Sequence, residues 1–125
     1  MQINRFRTPI TPRNADELRD HLQFRDDEGF SCFWLWHENG REMGVMFNGR
    51  QAYVHFFPGD GSAGGFALPA VSPDNPDESV EFLADNGEST PVQRRTVVDA
   101  SIAEEAIVLF YESGERLSSV AWEEL

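Results

Sequence analysis

Three apolar runs punctuated by asparagine-glycine pairs decide most of what this chain can become. Phe30-Ser31-Cys32-Phe33-Trp34-Leu35-Trp36-His37 is bounded by Gly29 and Asn39-Gly40, while Glu42 to Phe47 and Arg50 to Phe57 meet at Asn48-Gly49. Asn-Gly favours tight turns that need positive φ, and aromatic and β-branched residues suit pleated strands, so the segment reads as an antiparallel meander. The first run is apolar on both faces, which makes it a central strand.

The flanks supply two helices. Asn14 can cap a helix with Glu17 three residues on, and Ala15, Leu18 and Leu22 share one stripe, predicting a helix over residues 15 to 24. Residues 58 to 79 change to Gly, Pro, Asp and Ser around Phe66-Ala67-Leu68, which reads as a long loop with a short edge strand. Val80 to Ala84 forms a strand that ends at Asp85-Asn86-Gly87, followed by a connector containing Val92 and Thr96-Val97-Val98. Ser101-Ile102-Ala103-Glu104 matches a capping box, predicting a second helix over residues 101 to 113 that stops at Gly114. Ser119 to Trp122 closes the chain as an alternating strand with Trp122 in the core. The fold class is therefore α+β: one domain over residues 1 to 125, with a mainly antiparallel sheet of five or six strands and two principal helices. A chain this long buries roughly two thirds of the surface its unfolded form exposes, so no disulfide or metal is needed for folding.

Charge narrows the partners. The net charge is −12 with no lysine; residues 1 to 25 carry five arginines and three acids, whereas residues 26 to 125 carry five arginines and nineteen acids. Such a balance repels phosphate backbones and attracts basic proteins, so direct nucleic-acid binding is not expected. No stretch reaches the roughly 20 apolar residues that cross a bilayer. Cys32 is the lone cysteine, and Met1 to Arg7 lacks the apolar run of a signal peptide, which makes a cytoplasmic protein the expectation. Oligomeric state is left open.

Chemistry-bearing motifs are weak. Gly59-Asp60-Gly61-Ser62-Ala63-Gly64 has the glycine spacing of a P-loop, but Gly65-Phe66 stand where Lys and Ser or Thr must follow. Cys32 and His37 fall on opposite faces of a regular strand, and His37 with His55 lacks a third metal ligand. No catalytic residue, cofactor site or metal site is singled out, and no carboxylate dyad stands apart from the other acids. A competing reading makes Trp34, Trp36, Phe47, Phe56 and Phe57 the lining of a small-molecule or enzyme pocket beside the glycine-rich loop, although an aromatic core explains them more simply. A third is a scaffold or homo-oligomer joined through a sheet edge.

The second helix divides on a wheel. Ile102, Ala103, Ala106, Ile107, Leu109 and Phe110 form the buried side, leaving Glu104, Glu105, Val108, Tyr111 and Glu112 on the outer arc. An apolar residue and a tyrosine among three glutamates make a candidate protein-binding face.

The order of these features resembles immunity protein family 1 of bacterial polymorphic toxin systems. The resemblance lies in the strand ending at Asp85-Asn86-Gly87, the spacer with Val97-Val98, the helix Ala103 to Phe110, then Gly114 and Val120-Ala121-Trp122, with Asn48-Gly49 upstream. It spans most of residues 30 to 125 and is most specific in the last third. Proline is common near the start of that family's last strand, where Leu117-Ser118-Ser119 stand here. The resemblance implies a non-catalytic α+β domain that binds and neutralises a cognate toxin, such as a nucleic-acid deaminase or nuclease, by occluding its active site. Glu104, Glu105, Val108, Tyr111 and Glu112 are then the expected toxin-binding residues, facing a basic substrate groove.

Overall fold

The chain opens on a hairpin that its composition does not announce. In the computed structural model, which describes residues 1–125, β1 (Gln2–Arg5) and β2 (Thr8–Ile10) pair antiparallel with Arg5 opposite Thr8. Only Phe6 and Arg7 make the turn, and both hold positive φ, at 46° and 66°. Two-residue hairpins that follow the sheet's twist require this geometry, which Asn-Gly supplies more cheaply. The Phe6 amide holds the turn down by donating to the Cys32 carbonyl at 3.0 Å.

Helix α1 (Ala15–Leu22) ends two residues earlier than expected, because the Gln23 and Phe24 amides turn back to Asp20 and His21 in a tighter last turn. Asn14 caps it, its Oδ1 accepting from the Glu17 amide at 2.9 Å. The Glu17 carboxylate accepts from the Arg13 amide and side chain, one residue outside the usual capping box, and these bonds hold its pKa below the ordinary value.

The meander forms as β3 (Phe30–Trp36), β4 (Glu42–Asn48) and β5 (Gln51–Phe57), with Phe33 opposite Val45 and Val45 opposite Val54. Its alternation sends Phe33, Leu35, Met43, Val45, Phe47, Val54 and Phe56 into one core with Ile3, Leu18 and Leu22. The other face carries Cys32, Trp34, Trp36, Met46, Tyr53, His55 and Phe57, each two residues from the next along its strand. Phe47 and Phe56 thus belong to the core rather than to a common pocket with Trp34, Trp36 and Phe57.

β6 (Gly65–Ala67) is not an edge strand, since it lies between β5 and the closing strand. β7 (Ser79–Leu83) and β8 (Ser89–Gln93) make a separate hairpin turned by Asn86-Gly87. It lies over the outer face of β3 and β4, burying Val80 and Phe82, and Asn48 donates to the Glu81 carbonyl at 2.9 Å. A 3₁₀ turn at Arg94–Thr96 leads to β9 (Val98–Asp99), which pairs with Gln51 and Ala52 of β5. Helix α2 (Ala100–Ser113) starts one residue before the expected Ser101, with Asp99 as its cap. The Asp99 carboxylate accepts from both the amide and the hydroxyl of Ser101, and a charged acceptor at a helix N-terminus outcompetes serine. Gly114 ends the helix at φ 71°, where a Cβ would lie 2.2 Å from Asn39 Nδ2.

β10 (Trp122–Glu124) begins where the expected last strand ends, because Ser119 lies in the turn that follows α2. Trp122 is half-buried, packed near Phe56 and donating its indole N–H to the Leu117 carbonyl at 2.8 Å. The main sheet runs β10-β6-β5-β4-β3-β1-β2 with β9 beside β5. The architecture is α+β, mainly antiparallel with two helices, but its eight-stranded sheet and extra hairpin exceed the five or six strands expected. Its two edges are three residues each and carry Pro9 or Glu123 and Glu124, features that blunt strand addition and work against self-association through an edge.

Candidate functional site

The outer sheet face beside the β7–β8 hairpin is where side chains converge without being sealed. Across the strands Trp34 stands opposite Gly44, which stands opposite His55. Trp34 lies against the glycine so closely that a Cβ there would fall 2.6 Å from its Cζ3. Trp34 and Phe57 are 5.6 Å apart between ring centroids, and His55 stacks on Phe57 at 4.1 Å. Together with Cys32, Met46, Tyr53, Ala84 and Asp85 these residues line a hollow of about 120 Å³. A drug-sized ligand needs about 300 Å³ or more, so this space takes one side chain or a small fragment.

Hydrogen bonding and burial hold its polar groups. His55 Nε2 donates to the Ala63 carbonyl at 2.8 Å, and Nδ1 lies 3.4 Å from the Tyr53 hydroxyl. The same bond ties the 58–64 segment to the sheet. Burial, reinforced by the Glu123 charge, raises the Tyr53 pKa, so the hydroxyl stays protonated. Burial, with a smaller contribution from Asp85, pushes the Cys32 thiol up to about 12. A thiol so rarely ionised is a poor nucleophile.

The predicted helix face is redistributed by packing. Glu104, Val108 and Tyr111 form one stripe of α2, and that stripe turns toward α1, where the Gln23 amide donates to Glu104 at 3.0 Å. Val108 is only 5% exposed, which removes it from any contact surface, and Tyr111 is half-buried against the main core. Glu105 and Glu112 remain exposed on the next stripe, with Glu104 half-exposed beside them. The arc therefore keeps its charge and loses its apolar anchor. Conversely, Ile102 and Leu109 from the expected buried side are only partly buried.

The remaining motifs stay apart. His37 packs on Phe110 on the helix side while His55 stacks on Phe57 on the opposite sheet face, so the two do not converge. No group of three or more His, Cys, Asp or Glu is placed to hold a metal ion. The glycine-rich segment leads into β6 rather than a helix, so it lacks the helix N-terminus that a phosphate loop uses. No helix is long and apolar enough to cross a membrane. Of the aromatic residues read from the sequence as a pocket beside the glycine-rich loop, Trp34 and Phe57 do line this hollow, whereas its floor at Gly44 and its Tyr53, His55 and Asp85 walls escaped that reading. Its signal was the glycine at the centre of β4, since a strand-interior glycine marks a place where something approaches closely.

No protein-family model matches the chain, and no curated protein matches it.

Proposed function

We propose that this chain is a non-catalytic immunity protein of the cytoplasm, which binds a cognate basic toxin and neutralises it by occluding the groove where the toxin holds nucleic acid. The observation that carries the reading is the surplus of surface carboxylate. Ion pairs engage Asp16, Glu17, Glu38, Glu78, Asp85, Glu115, Glu123 and Glu124, so most of the 22 acids have no cationic partner within the chain. No carboxylate is fully buried. A surface that mimics the charge of a phosphate backbone accelerates docking to a basic groove and competes with its substrate. The aromatic hollow is too small for a drug-sized ligand, which argues against the small-molecule reading at that place.

The test is co-purification with the protein encoded by the neighbouring gene. A tight complex that abolishes a nuclease or deaminase activity supports the proposal; a neighbour that is a metabolic enzyme, or a toxin whose activity is untouched, overturns it. Charge reversal at Glu104, Glu105 and Glu112 is expected to slow association about tenfold at low salt and to flatten its salt dependence. Unchanged kinetics would remove α2 from the contact surface.

A further inference from the structure

We infer that the hollow over Gly44 is a receptor for one cationic side chain, best an arginine, projecting from the inhibited protein. The inhibitor reading enters only in saying which molecule carries that side chain.

Two features of the hollow favour a cation. Its lining includes the rings of Trp34, Tyr53, His55 and Phe57, packed side by side with Trp34 and Phe57 5.6 Å apart and His55 stacked on Phe57. Cations are drawn to aromatic faces, and a planar guanidinium also stacks on them. The flanking charge is negative: Asp85 lines the hollow, and Glu42 lies on the same sheet face, opposite both Trp36 and Phe57. The His55 ring is held in place beside these groups, with Nε2 2.8 Å from the Ala63 carbonyl and Nδ1 3.4 Å from the Tyr53 hydroxyl. Size selects further, since about 120 Å³ holds a side-chain head but not a drug-sized ligand.

The chain already uses this packing elsewhere. The Arg25 guanidinium carbon lies 4.1 Å above the Phe47 ring, and that of Arg5 lies 4.0 Å above Phe24. Arg7 reaches Asp85 only through an exposed contact at 3.5 Å, a pair that solvent screening makes weak, so Asp85 remains available to a partner. The hollow and the acidic arc of α2 lie on opposite sides of the main sheet, since α2 packs on the face that carries Val45 and Phe56. The hollow joins aromatic anchors with carboxylates, as interface hot spots do, whereas the α2 arc acts through its charge on the approach of the partner.

The experiment titrates N-acetyl-arginine methylamide into the intact chain and follows the Trp34 indole and Ala84 amide by NMR. Lysine, citrulline and leucine methylamides serve as comparisons. The expected result is a saturable shift with the arginine compound, with Kd on the order of tens of millimolar, and binding at least about threefold weaker for the neutral citrulline isostere. Asp85→Asn is expected to weaken arginine binding about threefold. Trp34→Leu, which keeps an apolar side chain but removes the ring, should abolish saturation at Ala84 while the circular dichroism spectrum stays native. Equal shifts from arginine and citrulline, tighter binding of the leucine compound, or no saturable shift would each overturn the receptor. A chain that holds its toxin but ignores arginine sinks this proposal and leaves the inhibitor reading standing. Arginine binding without any toxin complex does the reverse.

Discussion

Phe6 and Arg7 occupy a backbone region that costs an L-residue about 1–2 kcal/mol, and their strain is why the first hairpin is invisible to turn chemistry. At other positions side-chain chemistry and structure agree closely enough to predict behaviour. Cys32 is buried with its thiol pushed up to about 12, so it should resist a disulfide reagent at pH 8 in the native chain and react fully once denaturant is added. Rapid native labelling would show the β7–β8 hairpin to be open. At Asp99 the Ser101 bonds depress the carboxyl pKa, and at Glu17 the Arg13 bonds do the same. A group with a lowered folded pKa contributes stability above its unfolded value, about 4, and loses it as pH falls through the folded value. Melting temperature should therefore fall below about pH 4. Asp99→Asn keeps an N-cap that cannot titrate, so it should flatten part of that fall while starting from a lower melting temperature at pH 7.

At the scale of elements, helices and sheet compete for the same side chains. A wheel sorts residues into inner and outer arcs as if a helix met one neighbour, but α2 meets the sheet on one side and α1 on another, which is why Val108 is buried. The β7–β8 hairpin has few hydrogen bonds to the main sheet and relies on apolar burial at Val80 and Phe82. Phe82 is fully buried, so Phe82→Ala should cost about 3 kcal/mol in a denaturant melt, with amide exchange accelerated first in residues 79 to 93. A loss below about 1 kcal/mol would mean that the hairpin contributes little to holding the fold.

For the whole molecule, a net charge of −12 acts on stability as well as on partners. Like charges spread over one small surface repel, and that repulsion is screened beyond about 8 Å at physiological ionic strength. Raising sodium chloride from 20 to about 300 mM should therefore raise the melting temperature by a few degrees, while slowing capture of a basic partner severalfold. A melting temperature that fell with salt would mean that the eight arginine and N-terminal ion pairs outweigh the repulsion.

The amino-acid sequence determined whatever depends on neighbours along the chain. Asn39-Gly40, Asn48-Gly49 and Asn86-Gly87 placed the turns, apolar and aromatic runs defined β3 to β5 and β7, and caps located α1 and α2 to within two residues. It also set the charge. Tertiary structure alone decided what those elements face. β1, β2, β8 and β9 are short segments made into strands by the partners that supply their hydrogen bonds, and β6 became interior only because β10 returns beside it. The aromatic hollow arises in the same way: Trp34, Gly44 and His55 are ten and eleven residues apart, and only sheet register puts them in one row. Local chemistry fixes a strand's two faces; long-range packing decides which is sealed and which is left open.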